Sequence, residues 1–551
     1  MLSCLKNPHS KDTRQSLLTF QAVTTSDSSQ STVGEIGAWV FNQDSIRRAL
    51  VEMIIIDELP FRFVEGIGFR RFIAVACPRF IVPSRWTISR DILVVYEEER
   101  LKLKAFLRET SHRVSITTDS WTSIQRINYM VVTAHFIDSE WTLHKKTIAF
   151  VPVTSHEGEY LAKAIKTCLL EWGLRNVFSL TVDNTSSNGT AMGFLKKKIV
   201  SWGTSTVKAK YIHMRCIAHI LNLVVQDGLK ECGSSVKKVR EVIRYVRNSP
   251  ARLKKFRDLA NLLGIEQMSS LCLDVPIGWN STYLMLQSAL TYQKVVESCE
   301  ESDSSFKSDL GDFVPDFMDW DSVGSLVQLL KCFYDMIVRI SGSLYVTANT
   351  FFTEISDLYC LLNGMVEAGG ALFDDYFVPA SSSVPTSSVS AAVGSASSMS
   401  FVSVGRPQHL LKSQIKKQGG KKKTELDIYL SEAIVEEENS FDILRWWKIN
   451  DERFPILSKL ARDVLAIPIS TVASESAFST SGRVLDPFRS SLTPKIVEAL
   501  VCTQDWLRLP NTPLCIEENL EELERFEKEL VDGGSGRNFG PTLATIPFMW
   551  Q

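Results

Sequence analysis

The sequence predicts a mixed α/β (α+β) fold: a core built on a mixed sheet, interrupted by an all-helical insertion and followed by a helical C-terminal region. Three observations lead there. Short β-branched runs separated by polar turns fill 113–183, apolar residues recur at helical spacing across 215–365, and 425–510 is again helical and rich in apolar side chains. With 551 residues the chain has room for two to four domains, and 44% hydrophobic with 23% charged residues is ordinary globular composition. The longest apolar runs fall short of the roughly 18 residues a membrane span needs, and the opening MLSCLKNPHSKD carries no secretory apolar run. Eleven cysteines without framework spacing read as reduced thiols of the cytosol or nucleus. A net charge of −2 gives no global attraction to nucleic acid, so DNA contact would have to come from local basic stripes.

Taken in order, residues 1–40 are polar and Ser/Thr/Gln-rich and are expected to be disordered. A helical region, 41–110, opens at Gln43 with Ile46, Ala49, Met53 and Ile56 on one face and stops before Pro60; the proline-punctuated PRFIVPSRWTISRD then leads to a charged helix, EEERLKLKAFLRE. Residues 111–225 hold the first part of the core. RVSITTD, YMVVTAHFID and WTLHKKTIAF read as three consecutive antiparallel strands. A helix follows, with Thr154 and Glu157 at capping-box spacing and Gly173 as its stop, and FSLTVD is a buried strand ending in an aspartate. Three strands, a helix and a fourth strand is the order in which an RNase H-like fold opens. The insertion, 226–365, contains an acidic Ser-rich loop, ESCEESDSSFKSDLGD; 366–424 is a disordered Ser-rich and basic linker, 425–511 a compact helical region, and 512–551 an acidic helix and Gly-rich tail.

The candidate chemistry starts with acids. Asp119 closes the first strand and Asp183 the fourth; with those strands adjacent, both carboxylates emerge at one end of the sheet, where a divalent cation relieves their repulsion. Glu475 lies on a helix that Ser470 is placed to cap. Two Asp and one Glu suit two-metal phosphoryl chemistry, although a single aspartate at a strand end equally serves a turn. Cys216 and His219 share one helix face, with no second Cys/His pair near enough to complete a zinc site; a buried thiol and a satisfied histidine explain them as well.

The segments ITTDSWTS, LTVDNTSSN, RCIAHILNLVVQDGL and TVASESAFSTSGRVLDPFRSSLTP occur in the order seen in hAT transposases, and the chain resembles the plant RICESLEEPER-type members of that family over about 40–365 and 424–510. The resemblance implies that Asp119, Asp183 and Glu475 occupy the catalytic Asp-Asp-Glu positions and hold Mg²⁺, and that Cys216 and His219 stand near the active site. It also implies that Trp279 stacks on a base displaced during cleavage, with Gly278 where the family has an arginine. Its C-terminal part resembles the family's dimerisation region, for which Trp446, Trp447, Phe454, Leu457 and Phe478 are the expected contacts, giving a homodimer or higher homo-oligomer.

Between Lys237 and Asp258 nine basic residues face two acidic ones. Lys237, Lys238, Arg240, Arg244, Arg247, Lys254 and Lys255 are therefore the expected DNA contacts, the alternative being a solvated helix face. The run from Lys416 to Lys423 suits a nuclear address or DNA tether. Cys4 looks like the last ligand of a BED zinc finger whose earlier part is absent, so no zinc is expected, and relatives carry roughly a hundred further residues after Leu362. The expectation is a nuclear, dimerising, DNA-contacting derivative of a hAT transposase without catalysis. Two alternatives stand beside it: an active Mg²⁺-dependent transposase, and an interaction-only fragment without DNA affinity.

Overall fold

The computed structural model describes residues 17–21, 35–109, 113–204, 206–231, 233–265, 271–274, 279–342, 345–376, 424–433, 441–485 and 492–508. Residues up to Trp506 form one compact unit, and 507–551 form a second, in which Leu507 and Arg508 alone are described. Within the tail expected to be disordered, β1 (Leu17–Gln21) and β2 (Glu35–Trp39) pair antiparallel; LLTFQ and EIGAW each carry the branched or aromatic residues that favour strands.

Helix α1 (Gln43–Ile56) starts where expected, because the Asn42 side chain accepts the Asp44 and Ser45 amides at 2.9 and 3.0 Å. After α2 (Ile67–Ala76) comes α3 (Arg85–Glu109), which begins twelve residues before the charged segment expected to form it. Ile88, Ile92, Val95 and Tyr96 are buried and extend the apolar stripe of Leu103 and Leu107 backwards, and Pro83 marks where helix becomes impossible.

Strands β3 (Val114–Thr122), β4 (Asn128–Ile137) and β5 (Leu143–Val153) form the antiparallel meander. Helix α4 (Gly158–Trp172), β6 (Val177–Val182), α5 (Ser186–Ser201) and β7 (His213–Arg215) follow. The sheet order is β5-β4-β3-β6-β7, with β6 parallel to β3 and β7 parallel to β6, the arrangement of an RNase H-like sheet. The expected capping box at Thr154 and Glu157 is not formed: the helix starts at Gly158 with no side-chain cap. A Cβ at Gly158 would stand 2.5 Å from the Ser187 carbonyl and 2.7 Å from the Ala191 nitrogen, so close approach of α4 to α5 fixes that entry. Gly173 ends α4 as expected, at φ +73 with its N–H returned to Leu169 and Leu170 carbonyls.

Helices α6 (Ile217–Glu231), α7 (Gly233–Arg247), α8 (Pro250–Leu262), α9 (Trp279–Thr291), α10 (Gln293–Ser302), α11 (Ser304–Leu310) and α12 (Phe317–Ile340) bury a second core around Val239, Ile243, Met285, Leu286 and Val323. The acidic stretch expected as a loop is the helix pair α10–α11, because Asp303 caps α11 through the Ser305 amide at 3.0 Å and also takes the Lys255 ammonium. Helix α13 (Phe351–Tyr376) runs eleven residues past the expected linker boundary, a stretch without proline.

The C-terminal helices are α14 (Glu425–Ser431), α15 (Ile443–Asn450), α16 (Pro455–Leu465), α17 (Val472–Val484) and α18 (Pro494–Leu507). Helices α3, α4 and α5 pack on one face of the sheet, and α17 packs across β3, β4 and β5. At its far end Arg483 of α17 makes a two-point ion pair with Glu58 (2.5 and 2.6 Å), which also accepts from Gln504 of α18. Thus three distant parts of the chain share one carboxylate.

Burial pushes the Glu498 carboxyl, between α18 and the sheet, up to about 7. The folded state then holds a proton that the unfolded chain has lost, so stability falls as pH rises from the usual glutamate range to about 7. Glu498→Gln should raise the apparent melting temperature at pH 8 and leave it nearly unchanged at pH 4, read by thermal unfolding at both pH values.

Candidate functional site

The site is set by two parallel strands. Thr117 of β3 stands level with Thr181 of β6, so two residues further on Asp119 and Asp183 reach the same level at the same end of the sheet. Asp119 accepts the Ser120 amide at 2.7 Å. Burial pushes its carboxyl up to about 7 against that hydrogen bond, and the charges of Asp183 and Glu475 push in the same direction. Asp183 lies in the turn into α5, where one of its oxygens accepts the Thr185 amide (3.3 Å), the Thr185 hydroxyl (3.0 Å) and the Asn188 side chain.

Glu475 arrives from almost three hundred residues later, on the first turn of α17. A buried polar seam brings it there. The Ser474 hydroxyl donates to Thr117 Oγ1 at 2.8 Å, and Thr117 in turn meets the ring of His135 on β4 at 3.1 Å. Burial drives that imidazole down to about 3, which keeps it neutral. Thr181 donates to the Pro468 carbonyl (2.7 Å), and the Ile217 amide to the Ile469 carbonyl (3.0 Å). Ser470, the expected cap, instead donates to the Ile340 carbonyl of α12 at 3.2 Å. Thr471 precedes the helix, and its hydroxyl donates to Glu475 Oε1 at 3.1 Å.

Cys216 belongs to this seam. Its Sγ accepts the Thr471 amide at 3.3 Å and lies 3.3 Å from the Thr471 hydroxyl. Burial raises the thiol's pKa, so it is a neutral structural group. His219 follows on the first turn of α6, half-buried. The oxygen donors of Asp119, Asp183 and Glu475 are of the type a hard divalent cation takes. The buried Asn184 Oδ1 next to Asp183 has no hydrogen-bond partner among the described residues. The arrangement is open, however: among the described residues no three acid, His or Cys side chains stand close enough to form one coordination sphere.

Other expected site residues are placed differently. Trp279 is buried in the helical core, its ring edge-on to Phe333 at 6.5 Å, so no indole face is free for a base. Most of the basic stripe is engaged within the chain. Arg240 makes a two-point pair with the buried Asp274 (2.6 and 2.8 Å), and Lys238 pairs with Asp319 at 2.5 Å. Lys255 pairs with Asp303, Arg244 with Glu241, and Arg247 donates to the Leu271 carbonyl. Lys237 lies 5.0 Å over the Phe313 ring, and Lys254 is exposed. The stripe therefore acts largely as glue between α7, α8 and the helices beyond them.

Of the expected dimer contacts, Trp447 and Phe454 are buried within this chain; Trp446 and Leu457 are half-buried beside Tyr429, and Phe478 stacks on Trp121 at 5.9 Å. Helix α16 instead presents Ile456, Leu460 and Val464 to solvent at 72%, 52% and 38% exposure, with Ile449 of α15 at 75%. That four-residue repeat is visible in PILSKLARDVL and marks an outward row. The polar seam has only a faint signal in the sequence: His135 and Thr181 are polar residues within the largely apolar strands β4 and β6, whereas Thr117 lies in a strand that is polar along most of its length. Cys4, Gly278 and 416–423 lie outside the described residues.

Three family descriptions match the chain: the ZBED1 RNase-like domain at 117–211, the ZBED1 RNase-like helical domain at 214–329, and the hAT family C-terminal dimerisation region at 425–507. RICESLEEPER 3, a zinc finger BED domain-containing protein of Oryza sativa subsp. japonica, is 32% identical, with 86% of this chain and 71% of that protein covered. RICESLEEPER 2 of the same organism is 30% identical, with 86% and 76% covered. A Zea mays protein described as an AC transposase is 32% identical; the match covers 82% of this chain but 64% of the maize protein.

Two substitutions test the placements. Arg240→Ala should destabilise the chain by about 3 kcal/mol, because it strands a buried carboxylate, whereas Arg244→Ala should cost less than about 0.5 kcal/mol; denaturant unfolding separates them. Gly158→Ala should cost about 1–3 kcal/mol by overpacking and lower the melting temperature, since α5 must move.

Proposed function

The chain belongs to the hAT transposase family, among its RICESLEEPER-type members, and from that premise we propose that it acts in the nucleus as a homodimeric, DNA-contacting protein derived from a transposase, without strand-cleaving activity of its own. The helical layer from α6 to α12 is read as an insertion into the RNase H-like core, which α17 completes. The observation that carries the reading is the outward apolar row of α16 inside the matched dimerisation region. A row of aliphatic side chains at one-turn spacing, above a filled aromatic core, suits burial against a second copy. Absence of cleavage is supported by Trp279, whose ring is buried in the helical core rather than free to stack on a base.

One observation favours a second reading, Mg²⁺-dependent cleavage: Glu475 is fastened by the Cys216–Thr471 seam and acts electrostatically on Asp119. In that case Asp119 and Asp183 would hold the cation with Glu475 beside them, and the cation would polarise the scissile phosphate. The chain's own part is to hold those oxygens still and to keep His135 neutral behind them.

At micromolar concentration light scattering should give a dimer, and the pair Ile456→Glu with Leu460→Glu should give a monomer with unchanged secondary structure; a monomeric parent chain removes the dimer. On DNA carrying candidate terminal repeats with Mg²⁺, neither the parent nor Asp183→Ala should nick above background. Nicking by the parent that Asp183→Ala abolishes would establish the second reading.

A further inference from the structure

Between Asn184 and Arg215 the sequence contains no aspartate or glutamate and six cations: Lys196, Lys197, Lys198, Lys208, Lys210 and Arg215. They lie on α5, on and directly after the turn Thr206–Ala209 that packs against α5, and on the edge strand β7. All six are exposed. None of them is paired with a carboxylate among the described residues, in contrast to the engaged cations of α7 and α8.

The position of this edge is what gives it meaning. Arg215 pairs in register with Val182, one residue before Asp183, on a neighbouring parallel strand. Helix α5 starts three residues after Asp183 and carries Lys196–Lys198 at its far end, about 17 Å away along the axis at 1.5 Å per residue. Cations thus lie at both ends of a path that begins at the acids. Phe194 and Tyr211 are exposed along it at 42% and 67%, with Lys210 5.0 Å over the Tyr211 ring. Lys208 and Ala209 hold φ of +51 and +54, the left-handed region that side chains disfavour. That strain is spent on a turn whose lysine points to solvent.

We propose that α5, the turn Thr206–Ala209 and β7 form the surface along which a DNA phosphate backbone runs to the acid site, and that α7 and α8 do not supply it. The inference rests on the DNA-contacting reading above and locates its contact. Backbone recognition of this kind is sequence-tolerant and strongly salt-dependent.

The test is fluorescence anisotropy of the full chain with a labelled duplex of about 30 base pairs of arbitrary sequence, across a series of NaCl concentrations. Changing Lys196, Lys197, Lys198, Lys208 and Lys210 together to Gln should weaken binding at least tenfold at about 100 mM salt. It should also flatten the slope of log K against log salt by about 3 to 4, at roughly 0.9 for each phosphate left without its cation. The two-site variant Lys208→Gln with Lys210→Gln should flatten it by about 1 to 2 by the same count. Both carry surface changes, and an unchanged melting temperature verifies their fold. Arg244→Gln with Lys254→Gln should bind as the parent does. A five-site variant that keeps the parent's affinity and slope overturns the surface, as does an equal loss in the α7–α8 variant. A parent chain that fails to bind at about 50 mM salt overturns the DNA-contacting reading itself.

Discussion

Everything at the sheet's functional end depends on a buried line of hydroxyls. Thr117 and Thr181 stand level on adjacent parallel strands, and both are spent on α17 and the segment before it rather than on the sheet. Inside a low-dielectric core an unpaired hydroxyl is costly, so strands and helix each gain stability by satisfying the other. Ser474, Thr117 and His135 form one chain of such bonds, and Thr471 with Cys216 forms another. The helix is thereby fixed in translation and rotation, which apolar packing alone would leave looser, and Glu475 inherits that placement.

The same economy governs charge. With a net charge of −2 the molecule cannot attract polyanions as a whole. Its helical layer nevertheless concentrates cations, because Asp274, Asp303 and Asp319 need partners to be buried or half-buried among helices. Sequence density of arginine and lysine is then a poor guide to surface potential. What separates a structural cation from an available one is whether an acid lies within reach in the fold, and acids far away in sequence supply that reach.

This explains what was legible beforehand. The strand order, the two aspartates, the position of Glu475 on a helix and the stop at Gly173 follow from local periodicity and from motif order. The misplacements share a cause: each required a non-local partner. The aromatic residues of 446–454 are expected as dimer contacts, but Trp141 lies about three hundred residues upstream and takes up Trp447 in a stacked pair at 6.1 Å. The base-stacking role that the resemblance implies for Trp279 meets a buried ring instead, held edge-on to Phe333 of another helix. The acidic segment 297–312 is helical where composition predicts a loop, and Asp303 within it is held by Lys255, 48 residues upstream.

The late arrival of α17 has a consequence for how the molecule is made. Strands β3 to β7 are complete by residue 215, yet the face they offer to α17 stays uncovered until the chain beyond 484 has been synthesised. At about 5–20 residues per second that is an interval of tens of seconds, during which Thr117, Thr181, His135 and the Trp121 ring face solvent or a chaperone. A nascent chain of this design has its acids two at a time, never three, until the helix that carries Glu475 has been made. Any product cut short before 472 keeps a sheet but leaves its polar seam open, a ready substrate for quality control.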